Sequence, residues 1–238
     1  MRCSRCGRVP EASDKFCPEC GIFLRDAFLD HRLLQALVYE RDGDYKAARL
    51  EVERLLEIES ENVLANHLLG TLYFHQGTLD LAVDRYEKAL AAAPKFLLCW
   101  YDLGVAWYHR GNMPKAISAH RRCLEIDPHY NAAHYRLAIA LFHSGQLDEA
   151  LEHHEKCSSL TPEYLMARYH LGVVHKRKGD LEAAAREFER SIEEGIGEFS
   201  SLFHLAQIRR EEGREEDAQS LLEQARAVGA QNSPDADS

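Results

Sequence analysis

A period of 34 residues constrains this chain more than any other feature. From residue 29 the sequence divides without a gap into six repeats: 29–62, 63–96, 97–130, 131–164, 165–198 and 199–232. The eighth place of the repeat is always small: Ala36, Gly70, Gly104, Ala138, Gly172 and Ala206. The twentieth is always alanine: Ala48, Ala82, Ala116, Ala150, Ala184 and Ala218. Between them stands a glycine in every repeat (Gly43, Gly77, Gly111, Gly145, Gly179, Gly213), and Pro94, Pro128 and Pro162 close three of the six.

Small residues at fixed places let two helices approach closely, while larger apolar residues at i, i+3 and i+4 fill the seam. Glycine ends the first helix (helix A) in a left-handed cap, and proline stops the second (helix B) from running on. The third and fourth repeats carry the pattern most fully, the third with Trp100, Leu103, Gly104 and Trp107. The first, fifth and sixth depart from it. Ile196 stands where the fifth should have proline, and Gly195 and Gly197 are expected to supply the break.

On these residues about 85% of the chain resembles the tetratricopeptide repeat family. The resemblance implies an all-α fold, a right-handed α-solenoid of about six helical hairpins over residues 26–232. Residues 233–238 are expected to form a disordered acidic tail.

Residues 3–21 read CSRCGRVPEASDKFCPECG, with two CxxC pairs, Cys3/Cys6 and Cys17/Cys20, ten residues apart. Four thiolates make a closed tetrahedral shell for one ion, and the glycine after each pair tolerates the tight turn. The segment resembles the small zinc ribbons, so residues 1–25 are expected to hold one structural Zn²⁺. The ligands by themselves fit iron as well as zinc. Four sulfurs leave no open position for water, which speaks against a catalytic ion. The ribbon runs straight into the first repeat and is expected to cap it, because a terminal repeat has one face without a neighbour.

The chain carries a formal charge of −10. Residues 1–25 hold five basic and three acidic side chains, so the acidity lies in the repeats. Such acidity disfavours a nonspecific grip on nucleic acid and favours solubility and protein partners. Four thiolates and Zn²⁺ add about −2 and leave the ribbon nearly neutral. No apolar run approaches the ~18 residues of a membrane span, and MRCSRCGRVP has no apolar core of a secretory signal. Seven cysteines, an odd number, then point to a reducing compartment, the cytoplasm. Cys123 and Cys157 fall at the place where Ala89 stands and read as small core residues.

In the resembled family the A helices line a concave groove, with the fifth, ninth, twelfth and thirteenth places facing it. Carried onto this sequence, the fifth place holds His67, Tyr101, Tyr135 and Tyr169, and the twelfth holds Phe74, Tyr108, Phe142, Lys176 and Arg210. The thirteenth holds His75, His109, His143 and Arg177. The wall implied is aromatic, histidine-edged and basic toward its C-terminal end, and suits a peptide with apolar anchors and an acidic end. Aromatics at these places are also family habit, so packing between helices explains them equally. His75, His109 and His143 recur at 34 residues on successive A helices, which lie ~10 Å or more apart, too far for imidazoles to share an ion. They read first as a solvated edge and second as a pH-sensitive contact with an acidic partner. His120 and His154 also lie 34 apart, at the twenty-fourth place, which faces helix packing.

The expected function is a non-enzymatic protein–protein interaction scaffold. It holds a partner segment in the groove, with the ribbon as cap or second contact. The alternative is a nucleic-acid-associated factor that uses the ribbon while the repeats recruit partners. Phosphate-binding glycine loops, nucleophile elbows and HExxH are absent from the sequence.

Overall fold

The computed structural model describes residue 9 and residues 30–160, 166–195 and 198–231. Cys3, Cys6, Cys17 and Cys20, Pro162, Ile196, Gly197 and the tail 233–238 lie outside the described residues. Among the described residues there are twelve α-helices and no strand. Their order is α1 (His31–Arg41), α2 (Tyr45–Ile58), α3 (Val63–His75), α4 (Leu79–Ala92), α5 (Leu97–His109), α6 (Met113–Ile126), α7 (Asn131–His143), α8 (Leu147–Leu160), α9 (Met166–Lys178), α10 (Leu181–Glu193), α11 (Glu198–Glu211) and α12 (Glu215–Gln231). Odd-numbered helices are the A helices of the six repeats and even-numbered ones the B helices. Two compact halves meet in sequence at Ala133/His134, near the start of α7.

The hairpin turn is the same six times, and one backbone motif explains it. Each turn glycine has a positive φ, from 74° at Gly77 to 84° at Gly179. There a side chain would be strained, and glycine is the default. Its N–H bonds the carbonyl three residues back, and the next N–H bonds the carbonyl five back at 2.8–3.0 Å, as in Asp44 to Tyr39 and Asp180 to His175. This double closure satisfies carbonyls that the helix end leaves open. The residue that donates the second bond then begins the B helix. Asp44, Asn112 and Asp180 each accept from the N–H three residues on, a cap worth ~1 kcal/mol.

All six twentieth-place alanines have no exposed surface. The eighth place is tuned to the twenty-fourth. A Cβ on Gly104 would lie 2.5 Å from His120 Cε1, and one on Gly70 2.6 Å from Tyr86 Cε1. In the first repeat the twenty-fourth residue is only Val52, and the eighth place carries Ala36 in the same core cluster. The pairing is not strict, because the fourth repeat carries Ala138 with the buried His154 at the same two places.

In the N-terminal half each helix from α1 to α6 packs on the next, and the A helices α1/α3 and α3/α5 also touch. The first core cluster of this half is aliphatic, with Leu33, Leu55, Leu69 and Leu72, and Tyr86, Phe96 and Trp107 are buried farther along. In the C-terminal half α8 through α12 pack in sequence. There Phe188, Leu205 and Ile208 form a core cluster with Ala184 and Ala185, and Tyr169 and Val173 lie against it. Cys99, Cys123 and Cys157 are buried free thiols. Burial pushes their pKa upward, Cys123 to about 12 and Cys157 to about 11.

Candidate partner-binding site

The fifth-place side chains are half-buried, and three of them bond to the next A helix. His67 Nε2 donates to Asp102 Oδ2 at 2.7 Å. The Tyr135 hydroxyl and His170 Nε2 hydrogen bond at 3.0 Å, and the Tyr169 hydroxyl and His204 Nε2 at 3.3 Å. Each pair is 35 residues apart, so the fifth place of one repeat meets the sixth place of the next. Successive A helices meet through their side chains at the fifth and sixth places, where a long ring on one side reaches a polar group on the other. These tyrosine hydroxyls are thus engaged within the protein rather than offered to a partner. Tyr101 lies against His120 and edge-on to Tyr130, with ring centroids at 5.7 Å in each case.

The sixth-place histidines were not among the expected site residues, although a scan at 35 residues rather than 34 pairs Tyr135 with His170 and Tyr169 with His204. They also stack on the twenty-fourth place of the repeat before. His170 lies parallel to His154 (5.3 Å, 13°), and His204 lies on Phe188 (5.2 Å, 22°).

The thirteenth-place histidines stand at the ends of their helices. His75, His109 and His143 are all exposed. His75 stacks on Tyr45 at 5.7 Å, and His109 meets the edge of Phe74 at 5.5 Å. Among the described residues no three His, Cys, Asp or Glu come together in a way that would hold an ion. At the twelfth place Phe74, Tyr108 and Phe142 are half-buried.

At the basic end of the expected wall one of the three cations meets a carboxylate and two meet neutral groups. Arg210 is exposed, but its Nε lies 3.2 Å from Glu215 Oε1. Lys176 donates to the Gln207 amide oxygen. Arg177 lies over the Phe142 ring, its guanidinium carbon 4.7 Å from the centroid, and donates from Nη1 to the Phe142 carbonyl at 2.8 Å.

Arg177, through the Phe142 ring, flanks a cavity of the C-terminal half. It encloses about 150 Å3 between α7, α8 and α9, and its walls include Phe142, Tyr169, His154 and His170. His143 lies at the same cavity. His154 is 1% exposed, and its Nδ1 has no hydrogen-bond partner among the described residues. Burial, with His170 and His153 beside it, lowers its pKa to about 3. Burial and the neighbouring His143 lower that of His170 to about 4. Both rings are therefore neutral at ordinary pH and act as hydrogen-bonding aromatics rather than cations. Next to them, the His134 and His153 Nδ1 atoms share a 2.8 Å hydrogen bond.

No helix among the described residues is long and apolar enough to cross a membrane. Tetratricopeptide repeat profiles match residues 33–95, 67–131 and 129–193. No curated protein sequence matches the chain. Solved structures do. MamA from Desulfovibrio magneticus is 22% identical with a TM-score of 0.65, over 68% of this chain and 92% of that one. YrrB, described as a tetratricopeptide repeat protein with an unusual peptide-binding site, is 23% identical with a TM-score of 0.63, over 68% of this chain and 84% of its own. PilW, described as a type IV pilus biogenesis factor, is 20% identical with a TM-score of 0.70, over 85% and 94%. At these identities the likeness shows the fold alone. The three profile matches run together from 33 to 193, about two thirds of the sequence, in the register of the helices described above. The chain belongs to the tetratricopeptide repeat family.

Proposed function

We propose that the protein is a non-enzymatic interaction scaffold whose A-helix side chains hold a segment of a partner protein. The observation that carries this reading is the aromatic-walled cavity on α7–α9, flanked by a guanidinium lying flat on one of its rings. A concave, mostly apolar site with a few placed polar groups is the usual form of a recognition site. The peptide-binding site described for YrrB supports extending that role to this chain. The net charge of −10 supports a protein partner over nucleic acid.

The N-terminal Cys3, Cys6, Cys17 and Cys20 form, in this reading, a structural zinc ribbon that caps the first repeat or offers a second contact. Its spacing supports one tetrahedral ion. Three buried free thiols support a reducing compartment as the place of work. The test is affinity capture from the native cell, comparing wild type with Tyr169→Ala/Arg177→Glu. A partner set present with wild type and lost with the variant is expected. Identical sets overturn the A-helix reading. Retention of the whole chain on a nucleic-acid column at physiological salt moves the function to the ribbon.

A further inference from the structure

We propose that the first and last repeats join one copy of this chain to the next, head to tail, with α1 of one copy seated on α11 and α12 of another. The inference goes beyond the scaffold reading, because it concerns the ends of the repeat series and needs no bound peptide. The N-terminal cysteine segment is then the second contact and not the cap.

Inside the chain one rule governs how a repeat receives the next. The sixth place of an A helix meets the fifth and twenty-fourth places of the repeat before. His170 bonds Tyr135 and stacks on His154. His204 bonds Tyr169 and stacks on Phe188. Leu68 shares one core cluster with Leu33 and Val52, an apolar version of the same trio. Seats built of aromatic rings take histidine, and the aliphatic seat takes leucine.

Both terminal repeats leave their half of this joint open. In α3, α5, α9 and α11 the third place (Ala65, Cys99, Ala167, Ser201) is fully buried, and the tenth (Leu72, Ala106, Val174, Ile208) is at most 1% exposed. In α1 these places hold His31 and Val38, both exposed, and the sixth-place Leu34 beside them is 46% exposed. At the other end of the series the twenty-fourth place closes over. It is at most 1% exposed at Val52, Tyr86, His154 and Phe188, whereas Leu222 of the sixth repeat is only half-buried. The fifth-place Phe203 is 43% exposed, and Phe199, one turn before it, is exposed as well. No helix follows α12 among the described residues. Terminal repeats ordinarily need a polar outer face for solubility. Here both faces are apolar, which marks an interaction surface.

What covers them follows from the chemistry of the trio. Phe203 and Leu222 make an apolar seat, as Leu33 and Val52 do, and such a seat takes an apolar sixth place. The sixth places of this chain are Leu34, Leu68, Asp102, Arg136, His170 and His204. Leu34 alone is both apolar and exposed, since Leu68 is buried. A second copy therefore continues the repeat series across the joint. Its Leu34 meets Phe203 and Leu222, and its Val38 is covered as Leu72 is covered inside the chain. Pairing two last repeats with each other would set Phe203 on Phe203 and leave Leu34 and Val38 open. A joint between unlike faces repeats from copy to copy, so it builds a series of oligomers.

The test is sedimentation velocity of the full chain as purified, from about 5 μM to about 500 μM. Wild type is expected to show a mass that rises past two chains with concentration. Leu34→Glu and Phe203→Glu each change an exposed side chain, so circular dichroism should match wild type. Each is expected to weaken self-association by ~10-fold or more, the worth of one large apolar side chain removed from an apolar contact. Mixing the two variants is the decisive arm. Leu34→Glu keeps an intact last repeat and Phe203→Glu an intact first one, so the equimolar mixture is expected to form a two-chain species and nothing larger. Wild type that stays at one chain throughout overturns the proposal. Self-association that begins only after metal chelation overturns it too, because the cysteine segment then covers α1. A wild type that stops at two chains, or a dimer lost with Phe203→Glu and kept with Leu34→Glu, shows like faces pairing and also overturns it.

Discussion

The imidazole of His120 lies directly against the Cα of Gly104, so closely that a methyl group on that carbon would sit 2.5 Å from Cε1 and 2.7 Å from both ring nitrogens. His120 is 1% exposed, and the crossing of α5 and α6 is built around this contact. An alanine in place of a mid-helix glycine ordinarily stabilises by ~0.5–1 kcal/mol. Here overpacking of ~1–3 kcal/mol outweighs that gain. Gly104→Ala is expected to lower the urea midpoint of the N-terminal half, followed by the fluorescence of Trp100 and Trp107, the only two tryptophans. Adding His120→Val recreates the Ala36/Val52 combination of the first repeat and should recover most of the loss. If Gly104→Ala alone is neutral, the crossing is looser than the geometry implies.

Acid should weaken the C-terminal half. His154 and His170 are held neutral when folded, with pKa values lowered to about 3 and about 4. The unfolded chain binds their protons near pH 6.5, so the unfolded state takes up more protons between that value and the folded pKa. Stability is complete above pH 6.5 and falls as pH drops below it, by about 2 kcal/mol per histidine at pH 5. Urea unfolding followed by circular dichroism at pH 7.5 and pH 5 measures the drop. His154→Leu should remove about half of it. A pH dependence unchanged in that variant would show that other groups drive the acid response.

The contact between His67 and Asp102 joins successive A helices at 2.7 Å, with both side chains partly exposed. Asp102→Ala and His67→Ala are each expected to cost ~0.5–1.5 kcal/mol, and the double variant less than their sum, since the bond is lost once. A double-mutant cycle on thermal unfolding reads the coupling. Additive losses would show that the bond contributes nothing beyond the packing of each side chain.

Thiol counting tests the N-terminal segment. Of the seven cysteines, Cys99, Cys123 and Cys157 are buried with raised pKa values, and the other four are the proposed zinc ligands. Thiolate is the reactive form. The native protein is therefore expected to show no fast-reacting thiols as purified, four after chelation and seven in denaturant, with one zinc per chain by elemental analysis. Four fast thiols without chelation, or iron in place of zinc, would revise the site. If chelation lowers the melting temperature of the helices, the ribbon caps them. An unchanged temperature leaves it a separate module.

The sequence alone determined the helix pairs and their turns. The signals behind them are local. A glycine that must take positive φ, an alanine without exposed surface at the twentieth place and a small residue at the eighth each act within one hairpin, and each recurs at 34 residues. The small residues at Gly70, Gly104 and Gly172 were legible as a close approach, although their ring partners emerged only from the packing. Tertiary structure decided what the A helices present. Tyr135 and Tyr169 stood in the sequence as members of a binding wall, yet their hydroxyls bond to His170 and His204 of the following helices. The His75, His109 and His143 column, conspicuous by its period, is exposed, and of the three His143 borders the cavity that His154 and His170 help to wall. Periodicity reports the face of a helix on which a residue lies. Which rings meet across that face depends on helix spacing and side-chain length, and these are fixed only when the helices pack.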